Sequence, residues 1–569
     1  MNYKILAQLY EDLSSTTKRL EKIQTLSEFL KKLSEKDSDT MYLLLGDIYP
    51  EYDERRIGIS EQLAIKTISK STGNSIKIIN SEWKKIGDLG LVAEKLTTSK
   101  KQSTLHSQIL TSKKVIEDLR KLPELIGIGT VSKKLSLITG LLTSASSIES
   151  KYLTRTLIGD LRIGVKESTI RASLAKAFFK NNENAPKEIQ RAIDRTNDIA
   201  AVFLICKKKK LKDLQKLRLQ VGKPIKAMLA QKVKTVADGF KALGKPCAIE
   251  YKYDGFRLII HKKQDEVTLF TRSLENVTKQ FPEVKAYILK FVKADTVILD
   301  SEAVGFNPKT KKYTDFQAIS QRIRRKHQIE KLQKTLPIEI NVFDLLYYNG
   351  KSYLNEPFGN RTKIIRKILK NHPYKIIHSK QIITSNEKKA KDFYKKALQD
   401  NQEGVMMKSL DAEYNPGNRV GHMLKIKPEE RDLDLVITGA EYGTGKRSGW
   451  MSSFILSCRG KKKGEYLEIG KVGTGISEKE GDKITFNQLT EKLTPLILKE
   501  KGKSVTLKPK LVVSVTYQEI QKSPNYKSGW ALRFPRFTAL RPDKPLSEIA
   551  DLKEIELDFS HQKRNWKFG

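Results

Sequence analysis

The spacing of hydrophobic positions changes twice along this chain. Up to about residue 221 apolar residues recur at helical intervals. In VSKKLSLITGLLTSAS, Val131, Leu135, Ile138, Leu141 and Leu142 share one face. KYLTRTLIGDLRIGV keeps a similar spacing, and GIGT just ahead of the first stretch reads as a loop that opens a helix. Lysines and arginines fill the intervening positions, so one face is core and another basic. The pattern predicts an all-α region over 1–221.

At VGKPIKAML a Gly/Pro break ends that regime and period two takes over. CAIEYKYDGFRLIIHKKQDEVTLFTRS alternates on both sides of the polar turn KKQDE, as a β-hairpin does. ADTVILDSEAVGF and IEINVFDLLYYNG read as buried strands, and EKKAKDFYKKALQD as a helix between strands. Residues 222–430 therefore read as a mixed α/β (α+β) domain. From DLDLVITGAEYGTG onward, short strands alternate with glycine turns in SSFILSCRG, EYLEIGKVGTG and LVVSVTYQEI. That spacing predicts a small β-barrel over 431–569, for which an OB-fold is the best match. The runs CKKKK (206–210) and RGKKKG (459–464) read as solvated loops.

Composition sharpens this picture. A chain of 569 residues is expected to hold two to four domains. Its 107 Lys+Arg against 66 Asp+Glu give a formal net charge of +41, a self-repulsion that a polyanionic partner would relieve. Nucleic acid is the first candidate partner and an anionic membrane surface the second. The three cysteines are scattered and form no CxxC pair, which argues against a disulfide framework or a cysteine zinc site and suits a reducing cytosol. The N-terminal stretch lacks the apolar core of a signal peptide and no run reaches transmembrane length, so a soluble cytoplasmic protein, nucleoid-associated and without a membrane partner, is expected.

The candidate chemistry starts at EYKYDGFR (250–257), where Lys252 has a carboxylate two residues away on either side. A lysine becomes a nucleophile when neighbouring positive charge or desolvation frees its amine. If Lys252 attacks a phosphoryl group, the chain must also supply cations for phosphates and carboxylates for a metal. Glu302 in LDSEAV and Glu403 in EGVMMK are strand-end carboxylates of the kind that hold Mg²⁺. Lys425 and Lys427 in HMLKIKP lie two apart, on one face of a strand. Arg257, Arg272 and Arg419 offer guanidinium forks for paired oxygens. Phe343 in VFDLLYYNG is an aromatic flanked by turn residues that could stack on a base. Each feature alone has a bland structural explanation; their order along the chain is what carries weight.

KYDGFR (252–257), TRSLEN (271–276), LDSEAV (299–304), VFDLLYYNG (342–350), EGVMMK (403–408) and MLKIKP (423–428) resemble the motif series of the covalent nucleotidyltransferases, which include ATP-dependent DNA ligases, RNA ligases and capping enzymes. RPDK (541–544) is similar to the C-terminal motif on the OB domain. GDLRIGV, IGIGTVSKKLSLITGLL and QEIQKSPNYKSGWALRFPRF resemble the archaeal-type ATP-dependent DNA ligases, whose architecture is also the catalytic core of the eukaryotic replicative ligase. The resemblance spans nearly the whole chain.

It implies three steps: Lys252 takes AMP from ATP, AMP passes to the 5′-phosphate of a nick, and the 3′-hydroxyl displaces AMP to seal the strand. By the same resemblance, Asp254 and Gly255 shape the turn that presents Lys252. Glu250 contacts adenine, Phe343 stacks on it, Arg257 binds the nucleotide or the nick, and Arg272 contacts the nucleotide. Glu302 and Glu403 hold Mg²⁺ or Mn²⁺, and Arg419, Lys425 and Lys427 neutralise phosphates. Arg541, Asp543 and Lys544 orient the departing pyrophosphate, with a hinge near KPEERDLD (427–434). The implied partner is nicked duplex DNA, met by a monomer acting in replication, recombination and repair. QSTLHSQIL (102–110) falls where relatives carry a sliding-clamp docking motif but lacks its aromatic pair, so a clamp is the weaker partner expectation.

An RNA ligase or capping guanylyltransferase would share Lys252, and the long helical region argues against both. An NAD-dependent ligase would need a cysteine zinc module. A non-catalytic basic binding protein would have lost Lys252, Glu302 or Glu403, and all three are present.

Overall fold

The computed structural model describes residues 1–98, 109–314, 316, 319, 322–323, 329–417, 419–428, 431–481 and 484–564. It divides into two compact units, Met1–Thr67 with Lys101–Pro428, and Ile68–Lys100 with Glu429–Gly569.

The first unit begins helical, as the 3.6-residue spacing predicts. Helix Thr130–Ser144 buries Ile138, Leu141 and Leu142. Val131, assigned to the same face, is 62% exposed in its first turn, before the stripe reaches the core. Helix Ser147–Leu157 starts with a reciprocal capping box between Ser146 and Glu149, which satisfies donors that a helix start leaves open. The helices are tied to the sheets that follow. Lys226 pairs with Glu51 at 2.5 Å and Glu167 at 2.7 Å. The Gly222 amide donates to His261 Nδ1 at 3.0 Å. His261 can accept because burial pushes its pKa down to about 3, leaving the ring neutral.

Among the described residues eleven strands follow, in two sheets. β1 (Leu229–Lys232), β2 (Cys247–Lys252), β9 (Gln381–Thr384), β10 (Gly404–Ser409) and β11 (Arg419–Ile426) form a five-stranded sheet in the order β1-β11-β10-β2-β9. β3 (Phe256–Lys263), β4 (Glu266–Thr271), β5 (Thr296–Gly305), β6 (Ile338–Tyr348) and β7 (Lys351–Ser352) form the other, with β8 (Ile376–His378) parallel to β6. The predicted hairpin is β3–β4, with Lys263 opposite Glu266. β2, which the same alternating run contains, belongs instead to the first sheet.

Alternation decides what each face carries. In the five-stranded sheet Ile249, Tyr251, Val405, Met407, Leu424 and Ile426 face one core, leaving Glu250, Lys252 and Lys408 on the opposite face. In the second sheet Val297, Leu299 and Ala303 enter another core. Ile298 on the opposite face of β5 packs with Met423 of β11, so the Ile298–Asp300–Glu302 face looks toward the charged face of the first sheet. The functional groups lie in that seam.

The second unit is sheet-rich: β12 (Arg431–Tyr442), β13 (Met451–Arg459), β14 (Tyr466–Val472), β15 (Ile497–Lys501), β16 (Ser504–Leu507), β17 (Val512–Tyr517) and β20 (Arg536–Leu540) form one seven-stranded sheet. β18 (Glu519–Lys522) and β19 (Trp530–Arg533) pair as a hairpin. β12 is long enough to pair with β13 along one edge and with both β16 and β17 along the other. The expected solvated loop at 459–464 joins β13 to β14. No helix among the described residues is long and apolar enough to cross a membrane.

Candidate active site

Lys252 ends β2, and the chain crosses from one sheet to the other over Tyr253–Gly255. That crossover leaves little room. A Cβ on Gly255 would lie 2.3 Å from the Ala303 carbonyl oxygen and 3.1 Å from Glu302 Cγ, so only glycine allows the turn to approach β5 this closely. Asp254 is buried, its amide donating to Gln402 Oε1 at 3.1 Å and its carboxylate accepting from the Phe316 amide at 3.3 Å. The expectation that Asp254 and Gly255 build the turn presenting Lys252 matches this geometry.

Across the ladder Lys252 faces Gly404, and the Glu403 amide donates to the Lys252 carbonyl at 2.9 Å. Glu403 Oε2 then lies 2.7 Å from Lys252 Nζ and 2.5 Å from Lys427 Nζ. Burial alone would raise the Glu403 carboxyl, but the two ammonium charges override it and hold its pKa at about 2. Glu302 is pushed the other way. Burial raises it to about 7, with Glu403 and Asp300 adding to the rise against the pull of Lys252 and Arg257. Two neighbouring carboxyls thus sit on opposite sides of their ordinary range. Glu302 lies within β5, not at its end as the sequence suggested.

Arg257 stands opposite Glu302 in the β3–β5 ladder. Its guanidinium forks onto the fully buried Asp300, with Nε at 2.8 Å from Oδ1, and donates from Nη1 to the Met228 carbonyl at 2.8 Å. Tyr414 donates to Asp300 Oδ2 at 2.6 Å. These contacts orient the guanidinium so that it lies 5.2 Å from the Phe343 ring centroid.

Phe343 is not flanked by turns. It is the extra residue of a bulge in β6, where Asp344 pairs with Asp300 and Val342 with Ser301, leaving Phe343 unmatched. A bulge re-aims a side chain that strict alternation would direct elsewhere. Lys408 sits beneath, its Nζ 4.8 Å from the Phe343 ring centroid and donating to the Phe343 carbonyl at 3.2 Å. The same ammonium pairs with Glu250 Oε2 at 2.7 Å, while Gln381 Nε2 donates to Glu250 Oε1 at 2.7 Å. Burial pushes the Glu250 carboxyl up, and Lys408 and Gln381 work against it.

The remaining sequence-derived residues are more dispersed. Arg272 is exposed just past β4. Lys425 stands opposite Met406, in the same cross-strand row as Glu250, while Lys427 lies just beyond the end of β11. Met423 is buried between the sheets. The side chain of Arg419 lies outside the described residues, as do residues 102–108 of the clamp-like stretch and 429–430 of the expected hinge. Arg541, Asp543 and Lys544 belong to the second unit. There Arg541 Nη1 and Lys544 Nζ both reach Asp434 Oδ2, at 2.8 and 2.5 Å, and Arg541 Nη2 pairs with Asp543 at 2.8 Å.

Sequence reading missed Asp300, Gln381 and Asp434. Asp300 sits inside a motif already singled out; Gln381 and Asp434 carry no local signal, since Gln381 meets Glu250 across 131 residues and Asp434 meets Arg541 across 107. No group of three or more His, Cys, Asp or Glu among the described residues forms a metal cage. The donor set of Glu302 and Glu403 instead fits a Mg²⁺ that keeps waters and shares one or two carboxylates with substrate phosphates.

Three family models match the chain in register with these regions: DNA ligase N terminus over residues 2–175, ATP dependent DNA ligase domain over 227–427, and ATP dependent DNA ligase C terminal region over 447–544. The DNA ligase of Nanoarchaeum equitans is 42% identical over 565 residues, covering 99% of each chain. That of Thermococcus onnurineus is 39% identical, again over 99% of both. Among solved structures, Pmar-Lig_PreS3 matches with a TM-score of 0.57 over 94% of this chain and 99% of its own, at 18% identity, a likeness of fold alone. A lysine at a sheet crossover beside two carboxylates and a second lysine, family models over all three regions, and full-length similarity to archaeal ligases agree: the chain belongs to the ATP-dependent DNA ligase family.

Proposed function

We propose that this ligase seals nicks in duplex DNA through a lysyl–AMP intermediate on Lys252. The observation that carries the reading is the convergence of Lys252, Lys427, Glu302 and Glu403 at the seam between two sheets. Lys252 must first lose its proton; its Nζ then attacks the α-phosphate of ATP, the N–P bond forms, and the bond to the departing pyrophosphate breaks. The adenylate passes to the 5′-phosphate at a nick, returning Lys252 to the free amine. The 3′-hydroxyl attacks that phosphate, the phosphodiester forms, and AMP leaves.

Within this reading Glu250 and Phe343 receive the adenine edge and face, and Arg257, Arg272, Arg419, Lys425 and Lys427 meet phosphates or sugar. Glu302 and Glu403 would hold Mg²⁺ or Mn²⁺, which when bound supplies charge neutralisation on the triphosphate. Arg541, Asp543 and Lys544 would orient pyrophosphate after movement about 427–434, with Asp434 holding the two cations otherwise. The chain is read as three domains, 1–221 binding DNA, 222–430 transferring the adenylate, and 431–569 an OB-fold. The protein is taken to act as a cytoplasmic, nucleoid-associated monomer in replication, recombination and repair. The net charge of +41 supports gripping a duplex by its backbone, with affinity that falls as salt rises. A sliding clamp is a secondary partner.

The test is intact-protein mass after incubation with ATP and Mg²⁺, then after adding a 5′-phosphorylated nicked duplex. A gain of one AMP that Lys252→Ala lacks and that the nick discharges is expected. An adduct that discharges only onto RNA ends would replace this reading with RNA ligation or capping. Absence of any adduct from folded protein would end it.

A further inference from the structure

β9 places Gln381 directly opposite Glu250 in the ladder. Gln381 Nε2 donates to Glu250 Oε1 at 2.7 Å, and Gln381 Oε1 accepts from Arg366 Nη2 at 2.8 Å and Thr362 Oγ1 at 3.4 Å. This polarity is forced. A guanidinium has only donors and an ionised carboxylate only acceptors, so the amide between them can point one way. On its other side Glu250 Oε2 is held by Lys408, whose ammonium also holds the Phe343 carbonyl. The carboxylate is thereby clamped from both sides and linked to the backbone of the ring expected to stack on the base.

Gln381 and Lys408 put a donor on each Glu250 oxygen, an arrangement that suits the ionised form and works against the upward push of burial; an ionised carboxylate has about four acceptor positions, of which these two contacts use two. What remains on Glu250 is acceptor capacity only. Adenine presents a donor amino group at position 6, whereas guanine presents an acceptor oxygen there. The geometry points to Gln381 and Arg366 as positioning residues for choice of the nucleotide donor: they hold Glu250 as an acceptor for the 6-amino group, so that ATP is taken in preference to purine nucleotides lacking that donor. The inference rests on the reading of Lys252 as the adenylylated residue and Glu250 as its base-edge contact. Neither Gln381 nor Arg366 touches the reacting atoms.

The experiment follows adduct formation on the full-length protein by intact mass, with ATP, GTP and purine-riboside triphosphate, which is ATP without its 6-amino group. Wild type is expected to prefer ATP over the purine-riboside analogue by ~10- to 100-fold in kcat/KM, the scale of one hydrogen bond to a charged group. In Gln381→Ala that ratio should fall by about 10-fold or more, through a higher KM for ATP with the rate at saturation within about two-fold of wild type, as for lost ground-state binding. Arg366→Ala, on an exposed helix face and so no threat to folding, should shift the ratio in the same direction, and Arg366→Lys should restore most of it. Equal losses on ATP and on the analogue, or an unchanged ratio in both alanine variants, would overturn the inference. A wild type that forms the adduct but takes ATP and the analogue equally well would also overturn it, while leaving the ligase reading intact. A wild type that forms no adduct from ATP would instead remove the reading beneath it.

Discussion

Lys252 Nζ and Glu403 Oε2 lie 2.7 Å apart, and the same oxygen also carries Lys427 at 2.5 Å. One carboxylate thus keeps two ammonium groups close together. Glu403, held at about 2, stays ionised throughout any working pH range. Glu403→Gln removes the negative charge shared by the two ammonium groups and replaces one of the two carboxylate oxygens with an amide nitrogen, which cannot ligate a metal. Single-turnover adenylylation is expected to fall by about 10²–10³, the scale seen when one preorganised electrostatic group is removed from a site. Lys252→Arg should form no adduct at all. Glu403→Gln activity within about threefold of wild type would remove Glu403 from the working site.

How much of this was legible in the sequence varies residue by residue. Period-two alternation places Glu250 and Lys252 on one face of β2, and the structure keeps them there. Alternation does not reveal that β2 and β3 belong to different sheets, because the crossover at Tyr253–Gly255 looks like continued strand. Phe343 was found by motif, yet its orientation comes from a bulge that no local pattern announces. The partners of Glu250 were harder still. Gln381 reaches it through strand pairing across 131 residues, and long-range register leaves no trace in a window of neighbours.

A second prediction concerns acidity. Glu302 is raised to about 7, so below that pH it is largely protonated and above it ionised. A divalent cation binds only the ionised form. At limiting Mg²⁺ the adenylylation rate should therefore rise with pH through about 7. Increasing Mg²⁺ should move that midpoint downward, since the cation competes with the proton. The measurement is the rate–pH profile at several Mg²⁺ concentrations. A midpoint that does not move with Mg²⁺ would show that Glu302 is not coupled to the metal.

The Gly255 turn gives a third. With the Ala303 carbonyl oxygen 2.3 Å from where a Cβ would stand, Gly255→Ala must push β3 and β5 apart or twist the turn that holds Lys252. A destabilisation of about 1–3 kcal/mol is expected from overpacking. Loss of adenylylation should exceed what the unfolded fraction explains, because the displacement falls on the residues beside Lys252. Denaturant unfolding and adduct mass on the same preparation separate the two effects. Gly140→Ala, in helix Thr130–Ser144 with no heavy atom within 4 Å and no left-handed φ, is the control for substitution at a glycine without a close neighbour.

The last prediction lies where the helices of the first unit meet its sheets. Asp194 is buried with its pKa raised to about 7; burial is the main cause, the Glu167 carboxylate adds to it, and a hydrogen bond from Gln190 with the charges of Lys226 and Arg171 opposes it. In the unfolded chain the group returns to its ordinary value of about 3.9. Between these values the folded state binds the proton and the unfolded state does not, so stability must fall as pH rises through that window. The cost is complete above the folded pKa and absent below the unfolded one, and is at most ~4 kcal/mol. Asp194→Asn keeps the acceptor for Gln190 and removes the titration. It should be more stable than wild type at pH 8, with the advantage shrinking steadily toward pH 4, as read from urea midpoints across that range. If the wild-type and variant curves run parallel, the Asp194 carboxyl is not held neutral by the fold.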